Sequence, residues 1–392
     1  MPYVSGQTVH DADAHIMELP GTIESYCDPA WQDALADFLR PKVKEAAIAE
    51  AQALQAQHDF RAGFEENLLL RKNYQAMGAY DPADRSAALD LFGFASQLVF
   101  TTRGLSLVDL EYRDDTRLSV EAARALNRAT ADYCSVDRRL LATAYIPLAD
   151  RARAVEVARE AIDLGCKGLM IPSWVSKTHS PSHADFDPLW ALAQDAGLPI
   201  LFHVGGEKKM DPAYFVNGGP EVLDFHGGKE NFTSLSFMAI PMSVWQTLSA
   251  LVFDGVFDRF PQLKFGAIEL GAGWVPSLMQ FMDSGAGAFG REERIKSLSA
   301  KPSEILRRQF FAAPYPHENA RWIIENAGEE VCMFSSDYPH IEGGRNPMKR
   351  FNESLEGVTA SARRRFLRDN FIAMMGKGLD VSLHDIAGLE AA

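Results

Sequence analysis

Short apolar runs rich in β-branched and aromatic residues recur along the chain, and most are followed by a stretch in which apolar positions return at helical spacing. Eight runs read as strands: Thr8–Asp13, Phe94–Phe100, Leu140–Leu148, Gly168–Ile171, Pro199–Phe202, Leu263–Ile268, Gln309–Ala312 and Val331–Ser336. Amphipathic helices are expected over Ser119–Tyr133, Arg151–Leu164, Phe186–Ala196, Val244–Phe257, Trp274–Asp283 and Glu318–Asn326. Gly165 and Gly197 sit where helices should stop, and Asp187-Pro188 sits where one should start. Strands alternating with helices at this interval predict a parallel sheet in an α/β fold. Eight such units fit a single (β/α)8 TIM-like barrel over residues 1–392 better than an open doubly wound sheet. No dinucleotide-type glycine fingerprint follows the first strand.

Three segments exceed the barrel pattern. Residues 40–80, rich in Ala, Glu and Gln, predict a helical insertion after strand 1. Residues 205–240, with three Gly-Gly pairs, predict a long loop after strand 5, where loops commonly carry function. The tail after Thr359 predicts a closing helix to Met375 within a C-terminal helix and tail over 359–392.

Composition narrows the setting. Hydrophobic residues make up 47% of the 392 positions and charged residues 23%, a globular balance with ample material for a large core. The formal net charge of -14 argues against nucleic acid or an anionic membrane as a partner and says nothing more specific. The four cysteines are scattered without a CxxC pair, so neither a disulfide framework nor a zinc ribbon is expected. No apolar stretch is expected to approach the roughly 18 residues that span a bilayer. With no signal-like start, the cytoplasm is the expected location. A homo-oligomer, or pairing with a related subunit, is expected, with the 40–80 segment available to pack on another chain.

Chemistry concentrates at the strand ends, where a barrel of this type carries its functional groups. Asp13 and His15 end strand 1 and, at i, i+2 spacing, share one face of an extended segment. Arg103 follows strand 2, His203 ends strand 5, Glu269 ends strand 6 and Asp337 ends strand 8. Asp13, His15, His203 and Asp337 form a mixed nitrogen and oxygen set suited to zinc, manganese or iron. Arg103 is a candidate for pairing with a substrate carboxylate, or for a salt bridge on the barrel rim.

The chain resembles the amidohydrolase superfamily, in the branch that includes aminocarboxymuconate-semialdehyde decarboxylase and γ-resorcylate decarboxylase. The resemblance rests on Asp11–Pro20, Asp185–Trp190, Leu198–His203, Phe260–Lys264, Gly271–Pro276 and, most specifically, Phe334–Gly343. It implies a divalent metal, commonly zinc or manganese, and hydrolysis or non-oxidative decarboxylation of small carboxylated or aromatic molecules. In that family strand 1 supplies a His-x-His or Glu-x-His pair, matched here by Asp13 and His15, while His203 and Asp337 match the strand-5 histidine and strand-8 aspartate. Two positions depart from the pattern. Asp13 replaces the usual His or Glu, and Glu269 stands where many relatives place a histidine. Glu269 is a candidate general base or a further ligand, alongside Asp337 in proton handling, and His226 in the strand-5 loop is a candidate to enter the site. Glu18 and His340 are expected to orient ligands by hydrogen bonds. Two other readings stand beside the hydrolase or decarboxylase. One is a non-heme oxygenase in which Glu269 helps hold a dinuclear iron or iron–manganese centre; the other is a non-catalytic partner subunit that retains the barrel.

Overall fold

The computed structural model describes residues 2–40, 45–206, 208–220, 222 and 233–385. Seven parallel strands follow one another in spatial order: β1 (His10–Ile16), β2 (Ser96–Thr101), β3 (Leu140–Tyr145), β4 (Gly168–Met170), β5 (Ile200–His203), β6 (Phe265–Ile268) and β7 (Phe310–Ala312). Every residue of all seven strands is buried, as a parallel sheet covered by helices requires. That burial explains why the sequence shows continuous apolar runs instead of alternation. The sheet curls in the manner of a TIM barrel, with its register advancing strand by strand.

The expected eighth strand, Val331–Ser336, is not a regular strand, which brings the count from eight to seven among the described residues. Its chain nonetheless bonds on both sides, through bridges Ala312↔Cys332 and Ala14↔Tyr338. Ala12 N donates to Phe334 O at 3.0 Å and Asp337 N to Asp13 O at 2.9 Å. The ladder breaks because the Ser336 amide and hydroxyl go to the Asp11 carboxylate, at 2.7 and 2.6 Å. Asp337 then turns to φ 52°, outside extended geometry. On the facing strand, the β1 register slips between Asp11 and Ala14.

Helices lie where periodicity placed them, within a few residues: Arg117–Cys134, Arg151–Asp163, Asp187–Ala196, Val275–Ala288 and Ala320–Ala327. Gly197 ends its helix at φ 68°, the left-handed stop expected of it. The predicted 244–257 helix is Ile240–Phe253 followed by a separate turn, Val256–Arg259. Within the predicted insertion, Glu45–Gln55 and His58–Ala62 are helical and Asn73–Gln75 forms a short 3-10 turn. The tail helix, Ala360–Met375, contains a widened turn over Arg365–Asp369. It approaches β6 so closely that a Cβ on Gly266 would sit 2.7 Å from the Met374 sulfur.

One expectation about membranes is corrected. Ser234–Phe253 forms a 20-residue helical run of mean hydropathy 1.4, long and apolar enough to cross a bilayer by length and composition alone. Its apolarity has a local use: Val244, Leu248, Leu251 and Val252 are fully buried in the core that covers the sheet.

Candidate metal centre

Asp13 and His15 project from the end of β1, His203 from β5 and Glu269 from just beyond β6. Asp337 comes from the irregular segment beside β1. Glu269 and Asp337 hold φ of 53° and 52°, a left-handed backbone that non-glycine residues adopt at a cost of roughly 1–3 kcal/mol. Such cost persists where surrounding structure enforces it. Here Gly343 packs so tightly under the Asp337 turn that a Cβ would fall 1.9 Å from Ser336 O.

The side chains converge. His15 Nε2 lies 3.2 Å from Asp13 Oδ1 and 3.7 Å from both Glu269 Oε2 and Asp337 Oδ1. His203 Nε2 lies 3.5 Å from Asp13 Oδ1 and 3.5 Å from Glu269 Oε2. Despite this proximity, Asp13 Oδ1, His15 Nε2, His203 Nε2, Glu269 Oε2 and both Asp337 carboxylate oxygens are buried without a hydrogen-bond partner. Buried polar atoms rarely stay unsatisfied, so a cluster of them pointing into one space is what a cation site looks like from its ligands. The spacing agrees: donors bonded at about 2.1 Å to one ion, at tetrahedral or octahedral angles, lie about 3.0–3.4 Å apart. The residues present therefore fit a divalent ion.

Both imidazoles are oriented for this. His15 Nδ1 pairs with Thr101 O at 2.9 Å and His203 Nδ1 with Val204 O at 3.0 Å, which puts the proton on Nδ1 and leaves the Nε2 lone pair facing the cluster. The charges show the same demand for a cation. Burial raises the Glu269 carboxyl far above its usual range, and the neighbouring Asp337 and Asp13 charges push it further. Burial opposes ionisation of Asp13 too, but His15 and His203 outweigh it and hold that carboxyl well below its usual range. His15, although buried, is held more basic than usual by Asp13 and Asp337.

Surrounding groups brace the ligands. Glu18 accepts from the Thr101 hydroxyl and, at 3.1 and 2.9 Å, from the Thr102 and Arg103 amides. It thereby fixes the turn whose Thr101 carbonyl holds His15. His340 joins Asp337 Oδ1 at 3.1 Å to Thr102 Oγ1 at 2.9 Å, and its ring stacks on His15 with centroids 4.0 Å apart. Arg103 sends Nη1 to Leu19 O and Nη2 to Glu24, both at 2.8 Å, so its guanidinium forms the rim salt bridge. His226 lies outside the described residues.

Several residues of the site were not picked out from sequence. Fully buried Arg85 donates to Gln97 Oε1 at 3.1 Å, His15 O at 3.3 Å and Tyr338 O at 3.4 Å. Gln97 continues to Asp11 at 2.8 Å, so one polar chain ties β2, β1 and the Asp337 segment together. A glutamine inside an apolar strand was the available signal for it. Tyr315 donates to Glu269 O at 2.6 Å, and its own amide goes to Glu318, which also receives the Ala272 and Gly273 amides. Lys72 comes from the inserted segment, where Asn73 N docks on Pro339 O at 2.8 Å beside the Asp337 turn. Its Nζ is buried without a hydrogen-bond partner, and burial lowers its pKa to about 8 although Asp337 and Glu342 favour the charge.

Comparison with known proteins agrees with this architecture. No curated protein matches the sequence. Among solved structures, an amidohydrolase from Mycobacterium avium subsp. paratuberculosis K-10 shares 21% identity over 95% of this chain and 100% of its own, with a TM-score of 0.70. 2,6-Dihydroxybenzoate decarboxylase from Rhizobium shares 17% over 95% and 99%, with a TM-score of 0.60. Dihydroxybenzoic acid decarboxylase from Polaromonas sp. JS666, solved with bound manganese, shares 15% over 94% and 97%, also at 0.60. At these identities the likeness is one of fold. The amidohydrolase family model, however, matches residues 11–376, from the strand that carries Asp13 and His15 through Asp337 to the closing helix, and the chain belongs to that family.

Proposed function

We propose that this chain is a metal-dependent hydrolase or non-oxidative decarboxylase acting on a small carboxylated or aromatic molecule. The observation that carries the reading is the set of buried, unpartnered ligand atoms of Asp13, His15, His203, Glu269 and Asp337 facing one another at the sheet's C-terminal end. Structural relatives that act on dihydroxybenzoates support the substrate class, and the manganese bound in one of them supports that ion among the candidates. A divalent ion at this position supplies Lewis acidity, lowering the pKa of water or polarising a substrate oxygen.

The protein's own groups do the rest. Glu269, whose carboxyl is pushed well above its usual range by burial and by the neighbouring Asp337 charge, is suited to general acid–base work. Asp337, with Oδ2 lacking a hydrogen-bond partner and Oδ1 facing His340 Nδ1 at 3.1 Å, can serve as ligand through one oxygen and proton acceptor through the other. Lys72 offers a buried ammonium for a substrate carboxylate or phenolate. The test is removal of metal with a chelator, then re-addition of zinc or manganese, while carbon dioxide release and ester or amide cleavage are followed on carboxylated aromatic substrates. Activity lost with the metal and restored with it supports the reading; turnover indifferent to metal overturns it.

A second reading is a non-heme oxygenase with a dinuclear iron or iron–manganese centre. It is favoured by the three buried carboxylates, Asp13, Glu269 and Asp337, that the site brings together. Iron content and oxygen consumption decide it, and one zinc per chain with no oxygen uptake ends it.

A further inference from the structure

Beyond the end of β6 the chain turns through Glu269-Leu270-Gly271-Ala272-Gly273-Trp274, and side chains take up much of its backbone hydrogen bonding. Tyr315 Oη donates to Glu269 O at 2.6 Å, and Trp274 Nε1 donates to Leu270 O and Gly271 O at 3.0 and 2.9 Å. The Glu318 carboxylate accepts the Gly273 amide at 2.7 Å through Oε1. Through Oε2 it accepts the Ala272 and Tyr315 amides, at 3.0 and 2.7 Å. Tyr315 and Glu318 share one loop, between β7 and the helix Ala320–Ala327, so a single neighbour grips the turn at both ends.

Two glycines make room for that grip. Gly271 holds φ 66°, and a Cβ there would sit 3.1 Å from the Tyr315 ring and 3.2 Å from Glu318 Oε2. A Cβ on Gly273 would sit 2.8 Å from Glu318 Oε1.

From this arrangement we propose that Tyr315 and Glu318 are positioning residues for Glu269, clamping its turn so that the carboxylate faces the other metal ligands. This rests on the metal-dependent reading above and deepens it. Glu269 holds φ 53°, which non-glycine residues keep only where their surroundings enforce it. The direction of a side chain follows its backbone, so relaxing φ toward the extended region would swing the carboxylate out of the cluster. Its Oε2 now lies 3.7 Å from His15 Nε2 and 3.5 Å from His203 Nε2. The Tyr315 bond resists that rotation at Glu269 itself, and Glu318 resists it at Ala272 and Gly273. Asp13 and His15 are carried by β1 and His203 by β5, so loosening the clamp acts on Glu269 and spares those three.

The experiment measures manganese(II) dissociation constants by chelator competition for full-length wild type, Tyr315→Phe, Glu269→Ala and the double variant, with folding checked by circular dichroism. Tyr315→Phe should weaken binding about 10-fold and Glu269→Ala at least as much, with the double variant no weaker than Glu269→Ala alone. Losses that multiply in the double variant would mean that Tyr315 acts independently of Glu269, and would overturn the proposal. Wild-type affinity in either single variant overturns it too, and leaves the metal-dependent enzyme standing. A wild type that binds no manganese ends the metal-dependent reading and the proposal together. Should Tyr315→Phe not fold, Glu318→Gln, which keeps the clamp's shape and weakens its acceptor, takes its place in the same cycle with the same expected outcome.

Discussion

Lys72 offers a prediction whose size follows from the structure. Its ammonium is buried without a hydrogen-bond partner, and burial lowers its pKa from 10.5 to about 8. Below about pH 8 both folded and unfolded chains carry the charge, and the folded one bears the cost of burying it. Between about 8 and 10.5 the folded chain sheds a proton that the unfolded chain keeps, so the unfolded state binds more protons and stability rises with pH. At about 1.4 kcal/mol per pH unit, the gap between 10.5 and about 8 amounts to roughly 3 kcal/mol. Lys72→Met, which keeps the chain length and removes the charge, should therefore be more stable than wild type by about 3 kcal/mol at pH 7, with the difference vanishing by about pH 10.5. Urea unfolding of both proteins in chelator at pH 7, 9 and 10.5 measures it. The comparison with the variant matters, because the buried thiols of Cys134 and Cys332, raised by burial, act in the opposite direction in both proteins. A constant difference across this range, or a variant less stable at pH 7, would refute the reasoning. A cation kept at such a cost is kept for a ligand, so the same variant should raise KM for an anionic substrate more than it lowers kcat.

Other substitutions test the supports of the site. Arg85→Met leaves Gln97, His15 O and Tyr338 O without their shared donor, and should lower stability by about 3–5 kcal/mol in thermal or urea unfolding. Glu18→Ala strips the acceptor from the turn that holds His15 and should weaken metal binding about 10–100-fold in a chelator competition, with the fold retained. Asp81 caps the helix Pro82–Phe92 through the Ala83 and Asp84 amides, and Asp81→Ala should cost about 1 kcal/mol of stability without changing metal content.

The sequence made the alternation of strand and helix legible because each strand is buried on both faces and each helix on one, so apolar spacing reports both directly. The strand-end ligands were legible for the same reason: an acid or imidazole closing an apolar run stands out. Val331–Ser336 looked like its neighbours because it is equally apolar and buried, yet its pairing is decided by Asp11 taking the Ser336 amide, a long-range bond that no local pattern records. Arg103 at a strand end looked equally suited to substrate or salt bridge, and only the fold brings Glu24 beside it. Lys72 lay in a charged, helix-forming stretch where one more lysine carries no signal. What sets it apart is the docking of Asn73 on Pro339, some 270 residues along the chain.

Anomalous diffraction from crystals grown with manganese(II) would locate the ion among the strand-end side chains. A strong peak is expected about 2.0–2.3 Å from Asp13, His15 Nε2 and His203 Nε2, with Glu269 turned toward it. A map in which these side chains satisfy one another through hydrogen bonds or water, and manganese binds elsewhere or nowhere, would contradict it.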